Sequence, residues 1–146
     1  MLAFSNSRTV EIEWGACNPG GIVFNPRYFE FFDWSTALLF QKALGMTKLQ
    51  MFKAFDFAGF PLVDTRARFL RPSRFGDIVE IATCVAEFRR SSFDVVHRLT
   101  NAGELAVEGF ETRVWVGHDP ADPARLKGKP IPAAVTERFA VAMAHG

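Results

Sequence analysis

The sequence has 146 residues, of which 49% are hydrophobic and 23% charged, with a formal net charge of +1. That length and balance suit one domain with its own core and exclude a disordered chain. The near-neutral charge excludes a global field that would recruit nucleic acid or an anionic membrane, so any anion has to be bound by local arginines.

In chain order, Met1 to Arg8 lacks the basic start and apolar run of a signal peptide. No apolar stretch is long enough to span a bilayer, so a soluble, cytoplasmic protein without membrane partners is expected. Val10, Ile12 and Trp14 alternate with Glu11 and Glu13, which predicts a strand over Thr9 to Trp14. Gly15 to Gly21, with three glycines and a proline in seven residues, is an irregular loop. Its Cys17, like Cys84, belongs to no metal spacing or disulfide framework, and both are expected as reduced thiols.

Asn25-Pro26 is a helix start, with Asn as N-cap and Pro in the first turn, and Gly45 is the stop. Between them, Tyr28, Phe29, Phe31, Phe32, Trp34, Leu38, Leu39 and Phe40 spread apolar surface around nearly the whole helix. Such a helix must be enclosed, by a sheet or by other subunits. Thr47 to Asp56 predicts a shorter amphipathic helix. Strands are expected at Leu62 to Arg71, Ile78 to Phe88, Phe93 to Thr100 and Glu104 to Gly117, a loop at His118 to Pro132 and a terminal helix at Ala133 to Ala144. The order describes one α+β domain spanning the chain, an antiparallel sheet curled around one long apolar helix. Its edges would need a partner, so a homodimer or homotetramer is expected.

The run from Val10 to Tyr28 resembles the signature of the 4-hydroxybenzoyl-CoA thioesterase family, a strand, then Gly-x-x-Asp-x-x-Gly-Ile/Val-Val, then an Asn/Pro/Tyr-rich helix start. The similarity continues at Phe31-Phe32-Asp33, from Phe69 to Asp77 and from Phe88 to Phe93. It implies the hot-dog fold, with paired active sites at a dimer interface and acyl-CoA as substrate. One departure is chemical. The family's catalytic aspartate falls on Asn18, and a carboxamide neither attacks a thioester nor takes a proton from water at neutral pH.

The resemblance places Asn18 in the site as an amide that orients water or substrate; a turn-closing asparagine is the plainer reading. It also assigns the thioester carbonyl to the N–H of Asn25, at the positive end of the helix dipole. Asp33, Asp64 and Glu30 are candidates for the missing carboxylate. Asp33 is preferred near the substrate and Asp64 as replacement base, although Asp64 shares a strand face with Arg66 and Arg68 and a surface ion pair is the simpler fate. Coenzyme A carries phosphates that suit arginine forks, and by resemblance Arg89, Arg90 and Ser91 contact them, with Arg71 and Arg74 as weaker candidates. His97 reads as structural, Trp34 as core, and His118-Asp119 is too sparse for a metal.

No metal and no separate cofactor are expected, coenzyme A being part of the substrate. The leading expectation is hydrolysis of an acyl-CoA, with an aromatic acyl group implied by the resemblance. The rivals are a non-catalytic acyl-CoA binder, which would explain Asn18, and a hydratase on the same fold.

Overall fold

The computed structural model describes the backbone of residues 3–145 and the side chains of residues 3–142, so Met1 and Leu2 of the polar start lie outside the described residues. Five strands, β1 (Ser5–Glu11), β2 (Leu62–Phe69), β3 (Ile78–Phe88), β4 (Ser92–Asn101) and β5 (Glu104–Val114), form one antiparallel sheet in the order β1-β3-β4-β5-β2. Helix α1 (Pro26–Leu44) lies against one face of it, and this is the hot-dog arrangement. Alternation decides which side chains meet the helix. Val79, Ile81, Thr83 and Val85 of β3, Phe93, Val95, His97 and Leu99 of β4, and Val107, Glu111 and Arg113 of β5 are all buried.

Two apolar clusters result. One surrounds the carboxyl half of α1 through Leu39, Phe40 and Leu44, reaching Trp115 and the terminal helix α3 (Ala133–His145) at Val135 and Phe139. The other surrounds the amino half through Tyr28 and Phe32, with Ile12, Val23, Ile81 and Leu99. Between them, Phe32 lies so close to β5 that a Cβ on Gly109 would stand 2.5 Å from its ring. Glycine is the residue this approach requires.

Several expectations are corrected. The first strand begins four residues earlier and ends three residues earlier, and Trp14 belongs to a single 3-10 turn (Trp14–Ala16) and is 59% exposed. Asn25 already has helical angles (φ −47°, ψ −42°) and its side chain makes no capping bond; the first turn closes instead through Arg27 N–H to Phe24 O at 2.8 Å. Gly45 does terminate α1, in the left-handed region at φ 66°. Helix α2 (Lys48–Ala54) begins with a full capping box between Thr47 and Gln50. Trp34 is half exposed, whereas Ser35 and Thr36 are buried, so within one chain the sheet encloses one side of α1 and leaves the other open.

The long final strand breaks at buried Trp115, whose N–H turns to Ser91 O at 2.8 Å. The chain continues as a hairpin, β6 (Val116–Asp119) and β7 (Asp122–Gly128), where a loop was expected. β7 is exposed at every residue, so no apolar alternation announces it. It is held by backbone pairing and by Asp56, which accepts from His118 N–H and pairs with Lys129. Among the described residues no helix is long and apolar enough to cross a membrane.

Candidate active site

The glycine-rich loop is a small hairpin. Cys17 pairs with Val23, Asn18 N–H donates to Ile22 O at 2.9 Å, and Gly21 N–H donates back to Asn18 O at 2.9 Å. The tip turns through Asn18-Pro19-Gly20-Gly21, with Gly21 at φ 81°. Asn18 Oδ1 accepts from Gly20 N–H at 3.0 Å, so its acceptor closes the turn and its NH2 remains for other partners. The loop is pinned to the segment before β3 by an Ile22–Arg74 bridge and by Phe75 N–H donating to Gly21 O. That segment is fixed by Asn101, whose amide donates to Asp77 at 2.8 Å and to Ser73 at 3.1 Å. The Arg74 N–H and the Asn101 amide hold the Asp77 carboxyl below its usual range.

Immediately after the loop, the N–H of Asn25 stands at the amino end of α1, and among the described residues it donates to nothing. Asn25 lines a pocket of about 200 Å³ together with Ile22, Val23, Tyr28, Phe69, Leu70, Arg71 and Pro72. Tyr28 forms the buried floor, its hydroxyl accepting from Ser73 N–H at 3.4 Å, and burial raises its pKa. An unpaired N–H at a helix start, in a residue that lines such a pocket, can polarise a carbonyl oxygen.

Asp33 lies farther along α1 and opens on a second cleft of about 330 Å³, with Phe60, Leu62, Lys48 and Arg113. Its Oδ1 accepts from Arg113 Nη2 at 2.8 Å. Arg113 is itself buried, held by Glu111 at 2.8 and 3.1 Å and by Phe60 O at 3.0 Å. Behind it, Glu111 accepts from Thr36 Oγ1 at 2.6 Å and meets His97 Nε2 at 3.2 Å, while His97 Nδ1 meets Thr83 Oγ1 at 2.8 Å. Phe32 stacks on the imidazole at 4.6 Å. Burial pushes the Glu111 pKa up, but the hydrogen bonds and charges of His97 and Arg113 outweigh it and bring it to about 2. His97 is therefore structural, as read. The buried pair Glu111 and Arg113 was not foreseen, although two charges at alternate, inward positions of a strand were a visible signal.

The other candidates are scattered. Glu30 pairs with Arg27 at 2.8 Å on the surface. Asp64 faces away from α1, opposite Thr112, and makes no ion pair among the described residues. Its neighbours are engaged elsewhere, Arg68 with Glu108 at 3.7 Å and Arg66 over the Phe110 ring at 4.0 Å, so the expected surface pair does not form. Arg71 pairs with Glu104 at 2.6 Å. Arg89 is committed to Asp94 through two bonds at 2.7 and 2.9 Å, and to Glu87, and these raise its pKa. Arg90 is exposed without an ion pair among the described residues, and Ser91 O carries Trp115. Among the described residues no three His, Cys, Asp or Glu side chains are grouped to hold a metal ion.

Comparison with known proteins agrees with this architecture. The sequence is 31% identical to 4-hydroxybenzoyl-CoA thioesterase of Pseudomonas sp. (strain CBS-3), covering 93% of this chain and 98% of that protein. The crystal structure of an Asp-to-Asn mutant of 4-hydroxybenzoyl CoA thioesterase, complexed with 4-hydroxybenzoyl CoA, superposes with a TM-score of 0.85 over 94% of this chain and 99% of that one, at 31% identity. A gentisyl-coenzyme A thioesterase matches with a TM-score of 0.78 at 27% identity, over 92% of this chain and 99% of that chain. The profile of the thioesterase-like superfamily matches residues 12–139, and the chain belongs to that superfamily.

Proposed function

We propose that this protein is a cytoplasmic acyl-CoA thioesterase that hydrolyses an aromatic acyl-CoA. The carrying observation is the unpaired N–H of Asn25, at the head of α1, in a residue that lines a largely apolar pocket of about 200 Å³. The relatives named for 4-hydroxybenzoyl and gentisyl thioesters support the aromatic reading.

In this reading the thioester carbonyl oxygen accepts from Asn25 N–H. Water oxygen bonds to the carbonyl carbon, the C–S bond breaks, and coenzyme A leaves as a thiolate that takes up the proton released by water. One preorganised donor of this kind contributes about 3 kcal/mol to barrier lowering. Asn18 orients water or substrate through its free NH2. Asp33, fixed by Arg113, faces the substrate. Asp64, on the edge strand and without an ion pair among the described residues, supplies base character across a subunit boundary. Arg90 and Ser91 take the nucleotide phosphates, with Arg89 held as a brace by Asp94 and Arg71 in the pocket lining.

Strand β2 is a free sheet edge, exposed along nearly its whole length, with Val63 61% exposed. A second copy seated there makes the homodimer, and pairs of dimers a homotetramer.

The test is steady-state turnover of aryl- and alkyl-CoA esters by wild type, Asn18→Asp, Asn18→Ala and Asn25→Pro. Wild type should turn over aryl esters, and the aspartate should raise the rate by restoring a carboxylate. Asn25→Pro deletes the one N–H at a φ close to proline's own, and should lower kcat roughly 100-fold. Tight ester binding without turnover in wild type would replace the enzyme by a binder.

A further inference from the structure

Toward the opposite end of α1, an open groove of about 660 Å³ runs between β1, the last turns of α1 and the start of α2. Nothing in the proposed reaction uses it. The α1 residues that line it begin at Leu38, 13 residues and roughly 20 Å of helix beyond Asn25 at about 1.5 Å per residue.

Its polar lining has one character. No aspartate or glutamate lines the cavity, whereas Arg8 and Lys42 both do. Arg8 is half-buried, and burial lowers its pKa, yet its partners are neutral: Nε donates to Ser35 Oγ at 2.8 Å and Nη2 to Phe31 O at 2.9 Å. Its Nη1 makes no hydrogen bond and no carboxylate pairs with it among the described residues. A guanidinium partly taken out of water without a counter-charge is a costly arrangement that an anion would relieve.

The two lining glutamines point the same way. Gln41 Oε1 accepts from Lys48 N–H at 3.1 Å and Gln50 Oε1 accepts from Thr47 N–H at 2.8 Å, so each has its acceptor engaged and shows its NH2. Two of the last four carbonyls of this helix end, which would repel an anion, are engaged. Gln41 O accepts from Gly45 and Met46, and Leu44 O accepts from Arg138 Nη2 at 2.9 Å. Leu38 and Met46 supply apolar wall.

We infer that this groove is a second binding site, for a small carboxylate with an apolar body: the carboxylate on Arg8 and Lys42, the glutamine amides beside it, and the body against Leu38 and Met46. Planar, bidentate recognition by the free edge of a guanidinium favours carboxylate, and the apolar wall selects an organic acid over inorganic phosphate. The acid released by thioester hydrolysis is of this class, but the inference stands on the groove alone.

Benzoate is the probe, titrated into the full-length protein and followed by amide NMR shifts, with inorganic phosphate as comparison. Saturable shifts should gather at residues 6–8 and 41–50, and phosphate should bind at least tenfold more weakly. Arg8→Gln should weaken benzoate at least tenfold. Because that change also loosens the clasp on Ser35, Lys42→Glu, at an exposed position outside the clasp, should weaken it as much with the spectrum otherwise unchanged.

Three results would overturn the site. One is shifts confined to residues 18–28, which places benzoate at the helix head only. Another is equal affinity for phosphate. The third is benzoate binding untouched by either variant while Arg8→Gln alters sedimentation, which makes the groove a contact between copies. The readout needs no turnover, so it stands or falls separately from the thioesterase assay.

Discussion

The two halves of the helix α1 environment differ in kind. Around the carboxyl half, Phe40 is ringed by Phe60, Phe93 and Phe139 at 4.9, 5.0 and 4.9 Å, and Trp115 packs on Phe57 at 4.5 Å. Around the amino half the cluster is smaller, and its border is unfinished, with Phe24 52% and Phe69 47% exposed. Aromatic packing of the first kind fixes a helix in place. The second kind leaves apolar surface and a free N–H where a ligand or a second copy can use them. Stability and chemistry are thus separated along a single rod.

The largest test of that separation is Phe40→Ala, which should cost about 3–5 kcal/mol in urea unfolding, against under about 1 kcal/mol for Phe69→Ala at the open border. Equal losses would erase the distinction. Next is Glu111→Gln in the polar layer between the halves, which leaves Arg113 and His97 without their buried carboxylate and should cost about 3 kcal/mol.

The same residue sets the acid limb. The Glu111 carboxyl titrates at about 2 when folded, against 4.5 ordinarily, so its contribution is complete above about pH 4.5 and is lost as pH falls toward 2. Unfolding midpoints across that window should fall steeply in wild type and less steeply in Glu111→Gln. Smaller again, Gly109→Ala pushes a methyl into Phe32 and should cost about 1–3 kcal/mol. The least effect on folding belongs to Arg89→Ala with Arg90→Ala. Fold stability should hold while affinity for coenzyme A esters drops roughly tenfold and loses salt sensitivity. Unchanged affinity would remove the phosphate assignment.

Much of the fold was legible because it rests on local rules. The apolar run from Tyr28 to Leu44, closed by Gly45, specifies a buried helix, and alternation in β3 and β4 specifies a sheet with one covered face. The hairpin β6–β7 was not legible, since its exposed residues carry no alternation and its anchor, Asp56, lies in another part of the chain. The candidate site divides similarly. The position of Asn25 at the helix head follows from its neighbour Pro26, but the commitment of Arg89 to Asp94 depends on a register across two strands. The tie between Asp33 and Arg113, which are 80 residues apart, depends on how α1 is seated on β5. Spacing along a chain shows neither.

Gly109 has a mechanical consequence. The Phe32 ring, flat on the His97 imidazole and touching bare backbone, works as a key in a slot: α1 can neither slide along the sheet nor rotate without dragging that ring over a strand. The axial position of the Asn25 N–H, two turns away, is thereby set by a missing methyl group on β5. Calibration of the helix head is built into the middle of the protein, out of reach of changes in the loops around it.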